Sequence, residues 1–139
     1  MEFTEDGHLY RSAEHYMMAH KAWLFGDADT ATKILNASHP GEAKKLGRAV
    51  RGFDDQVWTG HRYEIVVRGS TAKFGGASRD FLLATHGRVL VEASPVDRIW
   101  GIGKDDRAAS PSTWPGLNLL GFALMTARDI LRLPSASRP

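Results

Sequence analysis

The stretch "SAEHYMMAHKAWLFGD", Ser12 to Asp27, decides how the first half of the chain folds. Ser12 carries an oxygen able to accept a free helix N–H and predicts a helix start, which Gly26 and Asp27 close. Between them Ala13, Tyr16, Met17, Met18, Ala19, Ala22, Trp23, Leu24 and Phe25 leave almost no polar face. Glu14 and Lys21 nevertheless lie inside that run. A spacing of seven brings them to within about 20° on one helical stripe, shared with Met17, Met18 and Phe25. Burying an unpaired charge is costly. The acid and the amine therefore either neutralise each other as a structural ion pair or face a wet cleft, and the residues alone leave both open.

Around this helix the composition is that of an ordinary globular protein. The 139 residues suffice for one domain with a real core, read as 1–133 with a frayed tail at 134–139. Hydrophobic residues make up 42% and charged residues 24%, within the range of soluble globular chains. No apolar run reaches the length of a membrane span, and no basic-then-apolar leader opens the chain, so a cytoplasmic protein with no membrane partner is expected. There is no cysteine, which excludes disulfides and thiolate chemistry and suits a reducing compartment. The formal net charge is only +2, and lysines and arginines are interleaved with acids. A nucleic-acid footprint would show a basic stripe, and none is present.

Further along, a second helix is expected from Asp29 towards Ala37, with Ile34 and Leu35 inward. "HPGEAKKLGRAVRG" predicts a third, with Pro40 pre-set for its first turn and Gly47 or Gly52 near its end. "DDQVWTGHRYEIVVRGSTAKFGG" reads as a long helix capped by Asp54 or Asp55 and stopped at Gly75–Gly76. Its inner stripe is Trp58, Arg62, Ile65, Gly69 and Ala72, again with a charge on an apolar face. Ser78 opens a short helix through Leu82 and Leu83 to Thr85. "GRVLVEAS" alternates Val89, Val91 and Ala93 with Leu90, Glu92 and Ser94, and predicts a strand. A long loop, "PVDRIWGIGKDDRAASPSTWPG", and a last helix, "LNLLGFALMTARDILRL", complete a mainly helical α+β fold with very little sheet.

Four features carry possible chemistry. They are the Glu14/Lys21 stripe, Arg62 beside Trp58, the "LVEASPVDRIWGIG" run and "WPGLNLLG". In the third, a strand end leads into a loop with Asp97, Arg98 and Trp100. Glycines there let backbone approach a ligand while the indole offers a stacking face. In the fourth, Asn118 opens an apolar helix, where an amide is expected to cap its own backbone. Zinc-type histidine spacing, a phosphate-binding Walker loop and a GxSxG elbow are all missing, and "GIGKDD" holds a lone GxG.

These features, in this order, resemble the YbiA-like N-glycosidases, also called the NADAR family. The matching runs are "SAEHYMMAHKA", "VWTGHRYEIVVRGSTAKF", "LVEASPVDRIWGIG" and "GLNLLGFALMTARDIL", which together span about Phe3 to Leu131. Family members usually carry a further strand-containing segment ahead of the position of Phe3. The chain here starts at "MEFTEDGHLYRSAEH", so that segment is either absent or upstream, and without it "VLVEAS" has fewer pairing partners.

The resemblance implies hydrolysis of a C–N bond between a ribose carbon and an amino-nitrogen, with no metal or organic cofactor. YbiA-like members cleave phosphoribosylamino-pyrimidine intermediates of riboflavin synthesis, so the expected partner is a small phosphorylated ribosylamine or nucleotide. Other members act on ADP-ribose attached to guanine, which brings in nucleic acid; a non-catalytic nucleotide-binding module is a third reading. The implied catalytic residues are Lys21, Glu14 and Asp97. Those implied for substrate binding are His15, Trp58, Arg62, Glu92, Ser94, Arg98, Trp100, Gly101 and Asn118. One route uses a neutral Lys21 to displace the amine from an opened sugar, with Glu14, about 10 Å along the same face, moving a proton. The other keeps the ring closed, and Glu14 or Asp97 steadies an oxocarbenium-like carbon. In either, Trp100 stacks on the base and Arg62 or Arg98 neutralises a phosphate. Glu14, Lys21, Asp97 and Trp100 are expected to line one cleft. The oligomeric state is not legible.

Overall fold

The computed structural model describes residues 1–76, 78–105 and 110–139, so part of the long loop expected after Pro95 lies outside the described residues. The fold is mainly helical with one small sheet, as expected. It comprises two compact units, Met1–Gly76 and Ala77–Pro139.

The first unit opens with a hairpin. Strands β1 (Phe3–Glu5) and β2 (His8–Tyr10) pair antiparallel, with Phe3 opposite Tyr10. Asp6 and Gly7 both take positive φ at the turn, the backbone that an Asp-Gly pair provides at low cost. Helix α1 (Ala13–Leu24) follows, capped by Ser12, whose side chain accepts from the His15 N–H. It ends by the Schellman pattern: Gly26, at φ 74°, donates to the Trp23 carbonyl, and the Asp27 N–H donates to that of Ala22. Asp27 does more than close α1. It caps α2 (Ala28–Leu35), which thus begins one residue before the expected Asp29. Helices α3 (Pro40–Gly47) and α4 (Asp55–Lys73) complete the unit, with Pro40 in the first turn of α3 and Asp54 capping α4. Helix α1 packs against α2, α3 and α4 together, which explains its scarcity of polar residues. Gly69 of α4 faces the Tyr16 ring so closely that a methyl there would overlap it. The buried face of α4 is broader than the expected stripe: Val66, Val67 and Ser70 join Trp58, Ile65 and Gly69, while Arg62 and Ala72 are only half-buried.

The Asp27 carboxylate, almost fully buried, organises the far side of this bundle. It accepts from the Thr30 N–H and hydroxyl, from the Arg51 N–H at 2.9 Å and from the Arg51 guanidinium at 2.9 Å. These donors, the Arg51 side chain first, hold its carboxyl well below the usual carboxylate range.

The second unit contains α5 (Arg79–Leu83) and α6 (Leu119–Arg132), which pack on each other, with buried Leu82, Ile102, Ala123, Ala127 and Leu131. The strand expected over "GRVLVEAS" is not formed. Residues 88–94 are outside any ladder, and the sheet among the described residues is the β1–β2 hairpin. A strand needs a second backbone beside it, and here a side chain takes that place. Asn118, fully buried, accepts from the Glu92 N–H at 2.9 Å and donates to the Leu90 carbonyl at 3.0 Å. The side chain of Asn118 is therefore not a helix cap, contrary to expectation, although its backbone, at φ 52°, occupies the cap position of α6. The capping comes instead from the "RIWGIG" loop. The N–H groups of Asn118, Leu119 and Leu120 donate to the carbonyls of Gly101, Ile99 and Trp100. Arginines stitch the rest: Arg128, buried in α6, donates to the Thr85 hydroxyl and the Arg88 carbonyl. Arg138 near the C-terminus reaches back to the carbonyls of Leu131 and Leu133.

Two stability outcomes follow from these contacts. Asp27→Asn turns an amide NH2 towards donors, and should lower the thermal midpoint by roughly 5 °C or more. Because the folded-state pKa of Asp27 lies below its unfolded value of about 3.9, its stabilisation is complete above that pH and is lost as pH falls below it. A wild-type stability that declines from about pH 5 downward more steeply than that of the Asn variant is expected in urea titrations. For Asn118, Ala should cost about 2–4 kcal/mol, combining two orphaned backbone groups with a positive φ. Gly should cost about 1 kcal/mol less than Ala, since it relieves the backbone alone. Equal losses in Ala and Gly would show that φ contributes nothing.

Candidate active site

Lys21 sits in the last turn of α1, on the stripe that also carries Glu14. Its amine lies over two aromatic rings of the same unit, 4.7 Å from the Phe53 centroid and 5.6 Å from that of Trp58. The Lys21 pKa is lowered, first by burial and then by the Arg48 charge, with Glu14 opposing both. Glu14 therefore acts on the amine through space, and is itself half-buried. The result is an amine closer to its neutral, nucleophilic form than a surface lysine. Trp58, on α4, is nearly buried and supplies one wall. Arg62 follows one turn later and is half-buried.

Phe53 was not among the expected site residues. It lies in the turn between α3 and α4, where no helical or strand periodicity marks it. The Asp27 hydrogen bonds to Arg51 fix the start of that turn. Gly52 continues it at φ 77°, a conformation that a Cβ would strain. The Phe25 ring, 5.4 Å from that of Phe53, backs it.

His15 is placed differently. It is buried, and both ring nitrogens are engaged within the unit: Nε2 with the Ala37 carbonyl at 3.0 Å and Nδ1 with the Ser12 hydroxyl at 2.6 Å. A carbonyl can only accept, so Nε2 carries the proton and Nδ1 accepts from Ser12. The ring ties the start of α1 to the end of α2.

A second polar group on α1 was also not foreseen. Tyr16 donates to both oxygens of Glu5 at 2.8 and 2.9 Å, and Tyr10 lies 3.3 Å from His20 Nε2. Burial, with the Arg68 charge second, pushes His20 down to about 4, so at neutral pH it is an uncharged imidazole sharing one hydrogen bond with the Tyr10 hydroxyl. Burial also pushes the Tyr10 hydroxyl up to about 12. His20 and Tyr16 stand about 100° and about 140° around α1 from Lys21, so this network lies on a different face from the amine.

The remaining expected residues belong to the second unit. Asp97 Oδ1 accepts the N–H of Ile99 at 3.0 Å and of Trp100 at 2.8 Å, while the Asp97 N–H donates to Ser94 Oγ. Asp97 and Ser94 thereby shape the loop that displays Arg98, exposed, and Trp100, half-buried. The Glu92 carbonyl accepts from Ser94 and Ile102. Gly101 lies where a Cβ would come within 2.8 Å of both the Glu92 and Asp97 carbonyl oxygens, so no larger residue fits without shifting the backbone. Glu92, Ser94, Asp97, Gly101 and Asn118 thus form one hydrogen-bonded and close-packed assembly. Among the described residues no group of three or more His, Asp or Glu side chains is gathered to hold a metal, and no helix is long and apolar enough to cross a membrane.

The NADAR domain model matches residues 1–132. The chain is 46% identical to "N-glycosidase R617" of Acanthamoeba polyphaga mimivirus, over 92% of this chain and 76% of that protein. It is 34% identical to the chloroplastic riboflavin biosynthesis protein PYRR of Zea mays, covering 89% of this chain and 20% of that one. Against the NMR structure of the E. coli protein YbiA, the TM-score is 0.79 at 28% identity, over all of this chain and 77% of that chain. A whole-chain family match, a 46% identical relative and a shared fold lead to one conclusion: the chain belongs to the NADAR domain family.

Proposed function

We propose that this protein is an N-glycosidase, hydrolysing the C–N bond between a ribose carbon and an amino-nitrogen. Its substrate is a phosphoribosylamino-pyrimidine or a related ribosylated nucleotide, and its setting is the cytoplasm. The observation that carries this reading is Lys21, an amine with a lowered pKa held among apolar rings with a carboxylate on the same stripe. The names of relatives, N-glycosidases and a riboflavin biosynthesis protein among them, point the same way.

In this mechanism the substrate opens from ribosylamine to imine. Neutral Lys21 adds to C1, and the original amine leaves with a proton supplied through Glu14. Water then adds to the resulting lysine iminium, C1 returns to an aldehyde, and Lys21 is regenerated. Substrate plus water gives ribose 5-phosphate and the free amine. Arg62, on the same unit as Lys21, is the candidate to neutralise the phosphate; stacking on the base by Trp100 and phosphate contact by Arg98 are roles carried over from the family resemblance alone. Asp97 and Ser94 position the Trp100 loop; His15 and Asn118 act through the backbone they hold. The closed-ring alternative, with Glu14 or Asp97 steadying an oxocarbenium carbon, needs no lysine adduct.

A panel of ribosylated amines tests the substrate. Release of ribose 5-phosphate from the pyrimidine substrate is expected, and release of ADP-ribose from a modified guanine instead would replace that class. Lys21→Ala should fold normally and lose turnover by on the order of 10³-fold or more. Lys21→Arg should fail almost as badly, since a guanidinium keeps its charge and does not attack carbon. Borohydride added during turnover should fix a sugar adduct on Lys21. An active Arg variant with no trapped adduct would remove the lysine from the chemistry.

A further inference from the structure

We infer that Phe53 is a substrate-contacting residue of the Lys21 site, whose ring face stabilises the positive charge formed when Lys21 is bonded to the sugar carbon. The inference rests on the lysine reading above and extends it to a residue outside every motif quoted for the family resemblance.

Three observations carry it. The Lys21 amine stands 4.7 Å from the Phe53 centroid, closer than to Trp58, within the distance at which an aromatic quadrupole attracts a cation. Phe53 is also 45% exposed, so a molecule arriving at the amine meets this ring. Its position is held rather than incidental. Asp27, buried between two helices, grips the Arg51 backbone and side chain, and Phe25 backs the ring.

The attacking amine is neutral, and the iminium it becomes is cationic. A ring that favours the cation therefore favours the product of attack over its reactant, which is the differential binding that accelerates a step. The apolar surround and the Arg48 charge pull the other way, and Glu14 assists the cation. Burial keeps the amine reactive, while the ring face and Glu14 keep the iminium accessible. Asp27 and Arg51 act in this scheme as positioning residues, through Phe53.

Leu, Trp and Ala at position 53 separate ring face from apolar cover. Phe53→Leu keeps the cover and removes the π-face. It should lower kcat roughly five- to thirty-fold with KM changed less than about threefold, and reduce the borohydride-trapped fraction. The acid limb of kcat/KM should also move to lower pH, because the ammonium loses its partner. Phe53→Trp should retain kcat to within about threefold. Phe53→Ala admits water and should shift the limb to higher pH, towards the ordinary lysine value. The pH dependence of Lys21 labelling by trinitrobenzenesulfonate, read by peptide mass mapping, follows the same amine without turnover. A Leu variant with kcat and labelling profile unchanged would overturn the inference, as would a Trp variant as impaired as Leu. An active Lys21→Ala enzyme would instead overturn the lysine reading itself, and the labelling profile would still report whether the Phe53 face acts on the amine.

Discussion

The first unit depends on one buried carboxylate. Asp27 stands where α1 ends and α2 begins, and it reaches across to the turn that precedes α4. A single side chain thereby fixes the ends of elements that are distant in sequence. A buried carboxylate with this many donors costs little to desolvate, because its lone pairs exchange water for N–H and O–H partners of similar strength. Take away the charge and several donors lose their partner together. That coupling makes Asp27 a structural keystone, although it is not itself part of the chemistry. The Phe53 ring beside Lys21 stands on the turn that Asp27 holds in place.

Helix α1 has two working faces. One carries Lys21 and Glu14 towards Phe53 and Trp58. The other carries Tyr16 and His20 into a hydrogen-bonded network with Glu5 and Tyr10 of the hairpin. Between them Ala19 and Ala22 are wholly buried, small enough to let the neighbouring helices approach. The unusual mixture in "EHYMMAHKA" thus has a physical division. Charges and rings lie at the flanks, and the methyl groups fill the centre.

The helical framework was legible because it rests on local signals. Ser12, Pro40 and Asp54 all act where capping chemistry places them, and the seven-residue spacing of Glu14 and Lys21 correctly put them on one stripe. The errors share one cause, a partner remote in sequence. "GRVLVEAS" has the alternation of a strand, but alternation reports which faces differ and says nothing about whether a second strand is available. Asn118 looked like a cap because caps are local, whereas its side-chain partners lie 26 and 28 residues away. Phe53 stands in a turn, where no period exists to flag it. The Asp6–Gly7 hairpin was the exception, a local signal that was there to be used.

The start of α6 gives the second unit a dynamic character of its own. First-turn amides in most helices open freely, since nothing inside the helix holds them. Those of Asn118, Leu119 and Leu120 are closed by the carbonyls of Ile99, Trp100 and Gly101. Helix start and tryptophan loop must therefore open and close as a single cooperative element. Hydrogen exchange at these three amides would report the breathing of the loop itself. A ligand that quieted Trp100 would slow exchange at the head of a helix it need never touch.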